Sequence, residues 1–159
     1  MIIIGIDPGK GGAIAVWNGG IDRIVKCPDS PEKMADEIRK IKKYKNIVAY
    51  LERVHAFPTD GRSSAFKFGM NYGEWIGILA SMRIETVLVT PQKWMKHFKE
   101  KLNIKLPKEK PQRKRKLKEI ASQYTDKKIT LYNADAILIA VYNIASALYN
   151  VIFLSVNCD

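Results

Sequence analysis

Three carboxylates lie far apart in this chain, and each of them borders an apolar run. Asp7 follows MIIIGI, Glu52 follows NIVAYL, and Asp135 precedes AILIAVY. A charged carboxylate at the end of a buried segment costs free energy unless a cation pairs with it, and converging carboxylates repel one another. Divalent metal ions relieve both costs and prefer oxygen ligands. We therefore expect Asp7, Glu52 and Asp135 to converge as the ligands of a metal site.

The charge of the chain favours a polyanionic partner. The 159 residues fit one domain spanning 1–159, and 27 Lys and Arg against 16 Asp and Glu give a formal net charge of +11. Such a field attracts nucleic acid first and acidic membrane surfaces second. The excess is local, since residues 93–118 hold twelve Lys or Arg and two acids. This distribution favours nucleic-acid binding over a merely soluble basic protein.

The cysteines and the apolar segments favour a cytoplasmic protein with no membrane partner. Cys27 and Cys158 lack CxxC spacing and a nearby histidine cluster, so neither a zinc site nor a disulfide framework is indicated. The N-terminal MIIIGID runs directly into a glycine loop and is too short for a secretory signal. The apolar stretch 134–154 contains Asp135 and further polar residues, which favours a buried helix over a membrane span.

The hydrophobic pattern predicts an α/β architecture. Short apolar or alternating runs predict strands, which cover 2–7, 13–17, 21–26, 47–51 and 85–89. Helices are predicted from Pro31, over 64–82, from Pro91, over 112–124 and from Asn133, with loops at 57–63 and 102–111. The Asn18-Gly19 hairpin signal makes the first three strands an antiparallel meander, and right-handed crossovers place the other two parallel beside the first. A five-stranded mixed sheet of this order, flanked by helices, is what an RNase H-like fold requires.

One predicted helix carries a stripe of glycines. Gly69, Gly73 and Gly77 recur every four residues, with Ala65 and Ser81 at the ends of the same stripe. Because a glycine inside a helix costs about 1 kcal/mol relative to alanine, the stripe indicates a packing requirement. A second helix could approach it closely, either within the fold or across a homodimer interface. We favour the dimer.

The three acids suit phosphodiester hydrolysis. That reaction needs an activated water and neutralisation of charge on the phosphate and the leaving oxygen, which two divalent ions about 4 Å apart can supply. Asp7 is the natural bridging ligand, with Glu52 on one ion and Asp135 on the other. Each acid also has an ordinary interpretation, as a turn former, a surface acid beside Arg53 and a first-turn helix acid. Each ordinary interpretation is reasonable for one acid, but all three holding together is much less expected.

Five motifs in the chain resemble the RuvC-type Holliday junction resolvases, and more closely their phage-encoded members. The motifs are GIDPGKGGAIA, LERVHAFP, SSAFKFGMNYG, VTPQKWMK and ADAILIA, in collinear order over most of the chain. The first motif alone is weak, since sugar kinases share a similar Asp-Gly phosphate loop. The resemblance implies a homodimer that binds four-way DNA junctions and cuts two strands of like polarity with Mg²⁺ or Mn²⁺. It also implies that Asp7, Glu52 and Asp135 are the acidic metal ligands.

The fourth acid of that family has no counterpart here. Relatives usually have an Asp or His about one turn before the last Asp, where this chain has Leu131 and Tyr132. Asn133 is interpreted first as a helix cap, although its amide oxygen can also ligate a metal. Three alternatives stay open: a true three-acid site, a weak nuclease, or a chain altered to be inactive.

Basic and aromatic residues give a candidate DNA-binding set. Lysines and arginines between 93 and 118 would neutralise phosphates and release counterions, and an aromatic ring beside Glu52 could stack on an unpaired base near the branch point. The candidates are Lys10, His55, Phe57, Arg62, Lys67, Lys93, Lys96, Arg113, Lys114, Arg115 and Lys116.

Three rival functions are compatible with the sequence. One is another nuclease of the same fold, acting on RNA–DNA hybrids, flaps or forks. The second is a sugar kinase or actin-like ATPase, which the short length and the concentrated basic segment disfavour. The third is a junction-binding protein without catalysis, which the missing fourth ligand makes plausible.

Overall fold

The computed structural model describes residues 1–55, 61–142 and 144. Its strands are β1 Ile2–Asp7, β2 Ala13–Trp17, β3 Ile21–Lys26, β4 Ile47–Glu52 and β5 Glu85–Val89. Its helices are α1 Pro31–Ile41, α2 Arg62–Ser81, α3 Pro91–Lys101, α4 Lys110–Ala121 and α5 Ala134–Val141. In the described ranges, no helix has both the length and the apolar character needed to cross a membrane.

The strands form one mixed sheet in the order β3-β2-β1-β4-β5. β1 pairs antiparallel with β2, and β2 with β3, whereas β4 is parallel to both β1 and β5. The predicted meander and crossovers are therefore confirmed. The hairpin at Asn18-Gly19 is one residue longer than a two-residue turn, because Trp17 pairs with Ile21 and Gly19 takes a φ of 80°.

Side chains alternate between two cores on the faces of the sheet. Ile4 and Ile6 of β1 point to the core shared with α1 and α2, which also contains Cys27. Ile3 points to the core shared with α3, α4 and α5. A period of two in the strand therefore sends the odd-numbered residues of β1 towards α5.

Two predicted helices have boundaries that differ from the structure by two residues or more. Helix α2 begins at Arg62 rather than 64, since the carbonyl of Gly61 already accepts from the amide of Ala65. Helix α4 begins at Lys110 rather than 112, because Pro111 fits a first turn whose amides lack partners anyway. It ends at Ala121 rather than 124, where Tyr124 donates its amide to the carbonyl of Ala121 in a tight turn.

Candidate active site

Two of the three acids leave neighbouring strands side by side. Ile6 of β1 pairs with Leu51 of β4 in parallel register, so Asp7 and Glu52 are the next residues along each strand. Tyr50 lies in the core on the α5 side, and Glu52, two residues later, shares that face. The carboxyl ends of β1 and β4 thus present Asp7 and Glu52 towards α5.

A glycine in β1 brings the third acid to the same place. A Cβ atom at Gly5 would collide with the backbone of Ala136 and Ala140, so only glycine lets α5 lie this close to the strand. Asp135 precedes Ala136 on this helix, and the residue is 7% exposed. The three predicted acids therefore converge in one cavity of about 530 Å³, which we name the acidic cleft.

The electrostatics of the cleft show how strongly these acids interact. Burial raises the pKa of Asp7 well above its ordinary value, and the negative charges of Glu52 and Asp135 raise it further. Burial also raises the pKa of Glu52, with Asp135 adding to the effect. The interaction between the carboxyl groups of Asp7 and Glu52 raises the pKa of Asp7 and lowers that of Glu52. Without a divalent ion, the crowding of these acids therefore favours the protonated form of Asp7.

Glu52 is held in place by a tryptophan. The indole Nε1–H of Trp94, in the first turn of α3, donates to Oε1 of Glu52 at 2.8 Å. The Trp94 side chain is 1% exposed, so packing fixes the ring. This hydrogen bond stabilises the charged form of Glu52 and lowers its pKa against the effect of burial. Trp94 therefore orients one oxygen of the carboxylate and leaves the other for a ligand.

Lys114 of α4 is the cation nearest the acids. Its Nζ donates to Oδ2 of Asp135. Burial lowers the pKa of Lys114, but the charge of Asp135, with smaller contributions from Asp7 and Glu52, raises it overall. The other oxygen, Oδ1 of Asp135, is buried and has no hydrogen-bond partner among the described residues. Such an orphaned buried oxygen is costly and marks a place for a further ligand.

The three carboxylates are suitable ligands for a divalent ion, although the side chain of Asp135 is paired with Lys114. Three carboxylates and the unpartnered Oδ1 of Asp135 are the hard oxygen ligands that Mg²⁺ and Mn²⁺ take. Over residues 1–55, 61–142 and 144, however, no three Asp, Glu, His or Cys side chains are arranged to hold one ion together. Asp7 interacts with both other acids, which suits a ligand shared between two ions.

The glycine loop after Asp7 is tied to α2. The amide of Gly9 donates to Oδ1 of Asn71 at 2.7 Å, and Gly9 takes a φ of 99° with the ring of Phe68 beside it. A side chain at Gly12 would collide with the carbonyl of Asp7. Asn71 and the glycines therefore fix the backbone that carries Asp7.

The structure divides the predicted DNA-binding set. His55, Arg113 and Lys114 line the acidic cleft, whereas Lys10 and Lys67 line a neighbouring cavity. Phe57 lies outside the described residues. The remaining candidates line neither of these two cavities, and they are Arg62, Lys93, Lys96, Arg115 and Lys116.

Asn133 occupies the position before α5 without capping it through its side chain. Its Oδ1 accepts from the amide of Thr130 at 2.8 Å, and its Nδ2 donates to the carbonyl of Lys128 at 3.3 Å. The side chain therefore binds the preceding turn. Asn133 lines a different cavity from the acids, so the structure does not bring it to them.

Sequence reasoning missed the roles of Trp94 and Asn71 and treated Lys114 only as a DNA contact. The sequence held signals for two of them. Trp94 lies one turn after β5, near the carboxyl end of the sheet, where Val89 pairs with Glu52. Lys114 lies three residues before the apolar Leu117, so a helical period places both on the face of α4 that meets the core. Nothing comparable marks Asn71.

Comparison with known proteins identifies the fold of the chain through solved structures alone. Neither a protein-family model nor a curated protein sequence matches the chain. Among solved structures, it is similar to Thermus thermophilus RuvC in complex with a Holliday junction substrate, at 13% identity, 95% coverage of this chain, 96% of that chain and a TM-score of 0.58. A second Thermus thermophilus RuvC structure matches at 16% identity, with 94% and 97% coverage and a TM-score of 0.58.

The five-stranded mixed sheet and its flanking helices place the chain in the RNase H-like class of folds. Within that class, the chain has the fold of the RuvC-type resolvases over nearly its whole length. The predicted fold is thereby confirmed, and assignment to the phage-encoded branch stays a prediction.

Proposed function

We propose that this protein is a metal-dependent endonuclease that resolves branched DNA, with the four-way Holliday junction as its leading substrate. The observation that carries the proposal is the convergence of Asp7, Glu52 and Asp135 in one cleft beside the basic helix α4. The solved structure that the chain resembles is a RuvC bound to a Holliday junction substrate, which supports the choice of DNA.

The acids would hold Mg²⁺ or Mn²⁺, two ions per site, with Asp7 shared between them. Bound ions would activate water and neutralise the charge that develops on the phosphate and the leaving oxygen. Trp94 keeps Glu52 oriented, and the Gly9–Asn71 hydrogen bond keeps Asp7 at the end of β1. Lys114 pairs with Asp135 in the absence of metal, and it would donate to a phosphate oxygen when a divalent ion is held by the acids.

A homodimer is part of this proposal. Gly69, Gly73 and Gly77 face open space, since a Cβ at each would meet no atom of the described chain within 4 Å. Phe66 is 69% exposed and Met70 51% exposed on the same helix. Exposed apolar side chains beside a glycine stripe suit close packing against a second copy of α2, which would place two clefts on one junction.

The test is cleavage of matched four-way, three-way, flap and RNA–DNA hybrid substrates in Mg²⁺. We expect the four-way junction to be cut in preference, and Asp7→Asn to abolish cutting while junction binding persists. Equal cutting of all four substrates would remove the four-way junction as the preferred substrate. Cutting by Asp7→Asn would remove the acidic cleft as the active site.

A second candidate, a junction-binding protein without catalysis, is favoured by one observation. Lys114 already neutralises Asp135, and no three donors are arranged for one ion in the described part of the chain. Calorimetric titration with Mg²⁺ and Mn²⁺ distinguishes the two. The nuclease proposal requires binding that Asp7→Asn and Asp135→Asn both weaken.

A further inference from the structure

A second cavity lies beyond the glycine loop, outside the acidic cleft. It has a volume of about 1040 Å³ and runs between β3 and the segment before α5. We name it the basic groove, and its charged lining consists of Lys10, Asp22, Arg23, Lys26, Lys127 and Lys128. None of the three acids of the cleft lines it.

The cations of the basic groove are mostly unneutralised. Arg23 is paired with Glu37 at 2.5 Å, and Asp22 is the single carboxylate on the lining. Lys10, Lys127 and Lys128 are exposed, and no ion pair involving them occurs within the described residues. Lys26 is exposed, contributes least of the groups that shift the pKa of Asp29, and forms no ion pair with a described residue. Free ammonium groups along a concave surface attract a polyanion.

The uncharged lining of the groove also suits nucleic acid. Gly11, Gly12, Ala13 and Ile24 form the apolar part of its lining. The Tyr132 side chain is 66% exposed, and its ring lies 3.9 Å from the position of a Cβ at Gly11. An exposed ring beside several lysines is the combination that binds a strand, with the sugar or base on the ring and the phosphates on the lysines.

Shared lining residues connect the basic groove to the acidic cleft through a third cavity. This third cavity, of about 620 Å³, shares Lys10 and Lys26 with the basic groove and carries Lys67. That cavity shares Phe68 with the acidic cleft. Lys10, Lys26 and Lys67 therefore extend the lysines of the basic groove along the glycine loop towards Phe68, which borders the acidic cleft.

We propose that the basic groove is a second DNA-binding site, which holds the sugar-phosphate backbone of a branched substrate at a distance from the phosphate in the acidic cleft. The inference rests on the proposed function for the identity of the polyanion. An acidic protein segment is the competing occupant. The exposed Tyr132 ring and the connection to the cleft favour DNA.

The test is binding of the full chain to a fluorescent four-way junction in EDTA, measured by anisotropy over a range of salt. The variant is Lys127→Ala/Lys128→Ala, and the matched control is Lys43→Ala/Lys45→Ala. Both control lysines are exposed and precede the amino end of β4, opposite the acids. Equal thermal melting of both double variants and the wild type confirms that each is folded.

Loss of two phosphate contacts should lower affinity on the order of tenfold or more near physiological salt and reduce the log–log salt slope by about 2. The control should change affinity by less than about twofold. Equal losses in both double variants would overturn the proposal, as would wild-type affinity in Lys127→Ala/Lys128→Ala. Polyglutamate that binds more tightly than DNA, with the same lysine dependence, would also overturn it.

The outcome is independent of catalysis, because EDTA prevents metal-dependent cleavage. If the wild type proves unable to cut DNA but binding still depends on Lys127 and Lys128, the nuclease proposal fails and the basic groove stands. If cleavage occurs and binding ignores these lysines, the groove fails and the nuclease stands.

Discussion

Nζ of Lys114 on α4 donates to Oδ2 of Asp135 on α5, inside the cleft that also contains Asp7 and Glu52. In the absence of metal, this ammonium group is the cation that neutralises the acids. A divalent ion at Asp135 would compete with it. Lys114 therefore links the stability of the metal-free protein to metal binding.

Replacement of Lys114 with Met should destabilise the metal-free protein by about 1–3 kcal/mol, because Asp135 would keep a buried charge without a partner. Saturating Mg²⁺ should recover most of the loss. Urea unfolding with and without Mg²⁺ measures both effects. Lys116→Met is the matched control, since Lys116 pairs with the exposed Glu119 and should cost less than about 1 kcal/mol.

Asp7→Asn should stabilise the metal-free protein near pH 7. Burial and the charges of Glu52 and Asp135 raise the pKa of Asp7 in the folded chain, so folding loses stability as pH rises through that pKa. An asparagine at position 7 carries no charge, so the variant does not lose this folding stability as pH rises. We expect a melting temperature roughly 2–4 °C above wild type, the shift that about 1 kcal/mol gives in a chain of this size.

The pH profile provides the control for Asp7→Asn. Below about pH 3.9, the ordinary pKa of an unfolded Asp, both states of the wild type hold the proton and the stabilisation should vanish. A difference in melting temperature that stayed constant from pH 3 to 8 would contradict the electrostatic account. Metal should reverse the order, since Mg²⁺ stabilises the wild type by binding only the folded state.

Trp94→Phe tests the orientation of Glu52. The substitution keeps an aromatic ring in the core and removes the Nε1–H that donates to Oε1 at 2.8 Å. Outer hydrogen bonds to metal ligands are worth about 10–100-fold in affinity, so the Mg²⁺ concentration for half-maximal cleavage should rise at least about tenfold. Trp17→Phe, on the half-buried end of β2, should leave it unchanged. An unaltered Mg²⁺ midpoint in Trp94→Phe would remove Trp94 from the site.

Gly73→Leu tests the dimer. A side chain at Gly73 meets no described atom of its own chain, so the monomer should gain up to about 1 kcal/mol of helix stability while the dimer interface is blocked. Light scattering at micromolar concentration should show a dimer for the wild type and a monomer for the variant. Gly20→Leu, in the open β2–β3 loop, should remain dimeric. If the wild type is monomeric, the glycine stripe is not a dimer interface.

The sheet and the acids could be predicted from sequence because their signals are local. Apolar runs bounded by Pro8-Gly9 and Asn18-Gly19 mark the strands, and each acid lies at the end of such a run. The position of Trp94 one turn after β5 could be predicted, but its hydrogen bond to Glu52 could not, because that bond joins side chains 42 residues apart. Such a contact depends on how α3 packs against β4, which no pattern within either segment specifies.

The four consecutive basic residues 113–116 show the same limit on a smaller scale. Composition marks all four as DNA contacts, but the rotation of α4 decides which of them faces the acids. Burial of Leu117 and Ile120 sets that rotation, and Lys114 is the residue that reaches Asp135. The sequence shows which residues are charged, whereas helix packing decides which way each charged side chain points.

The most direct test of the central claim is Mg²⁺-dependent cleavage of a synthetic four-way junction, compared with a duplex of the same sequence and with the Asp7→Asn variant. The account predicts paired cuts in two strands of like polarity by the wild type, little cutting of the duplex, and none by Asp7→Asn. Metal-independent cutting, or equal cutting of junction and duplex, would contradict it.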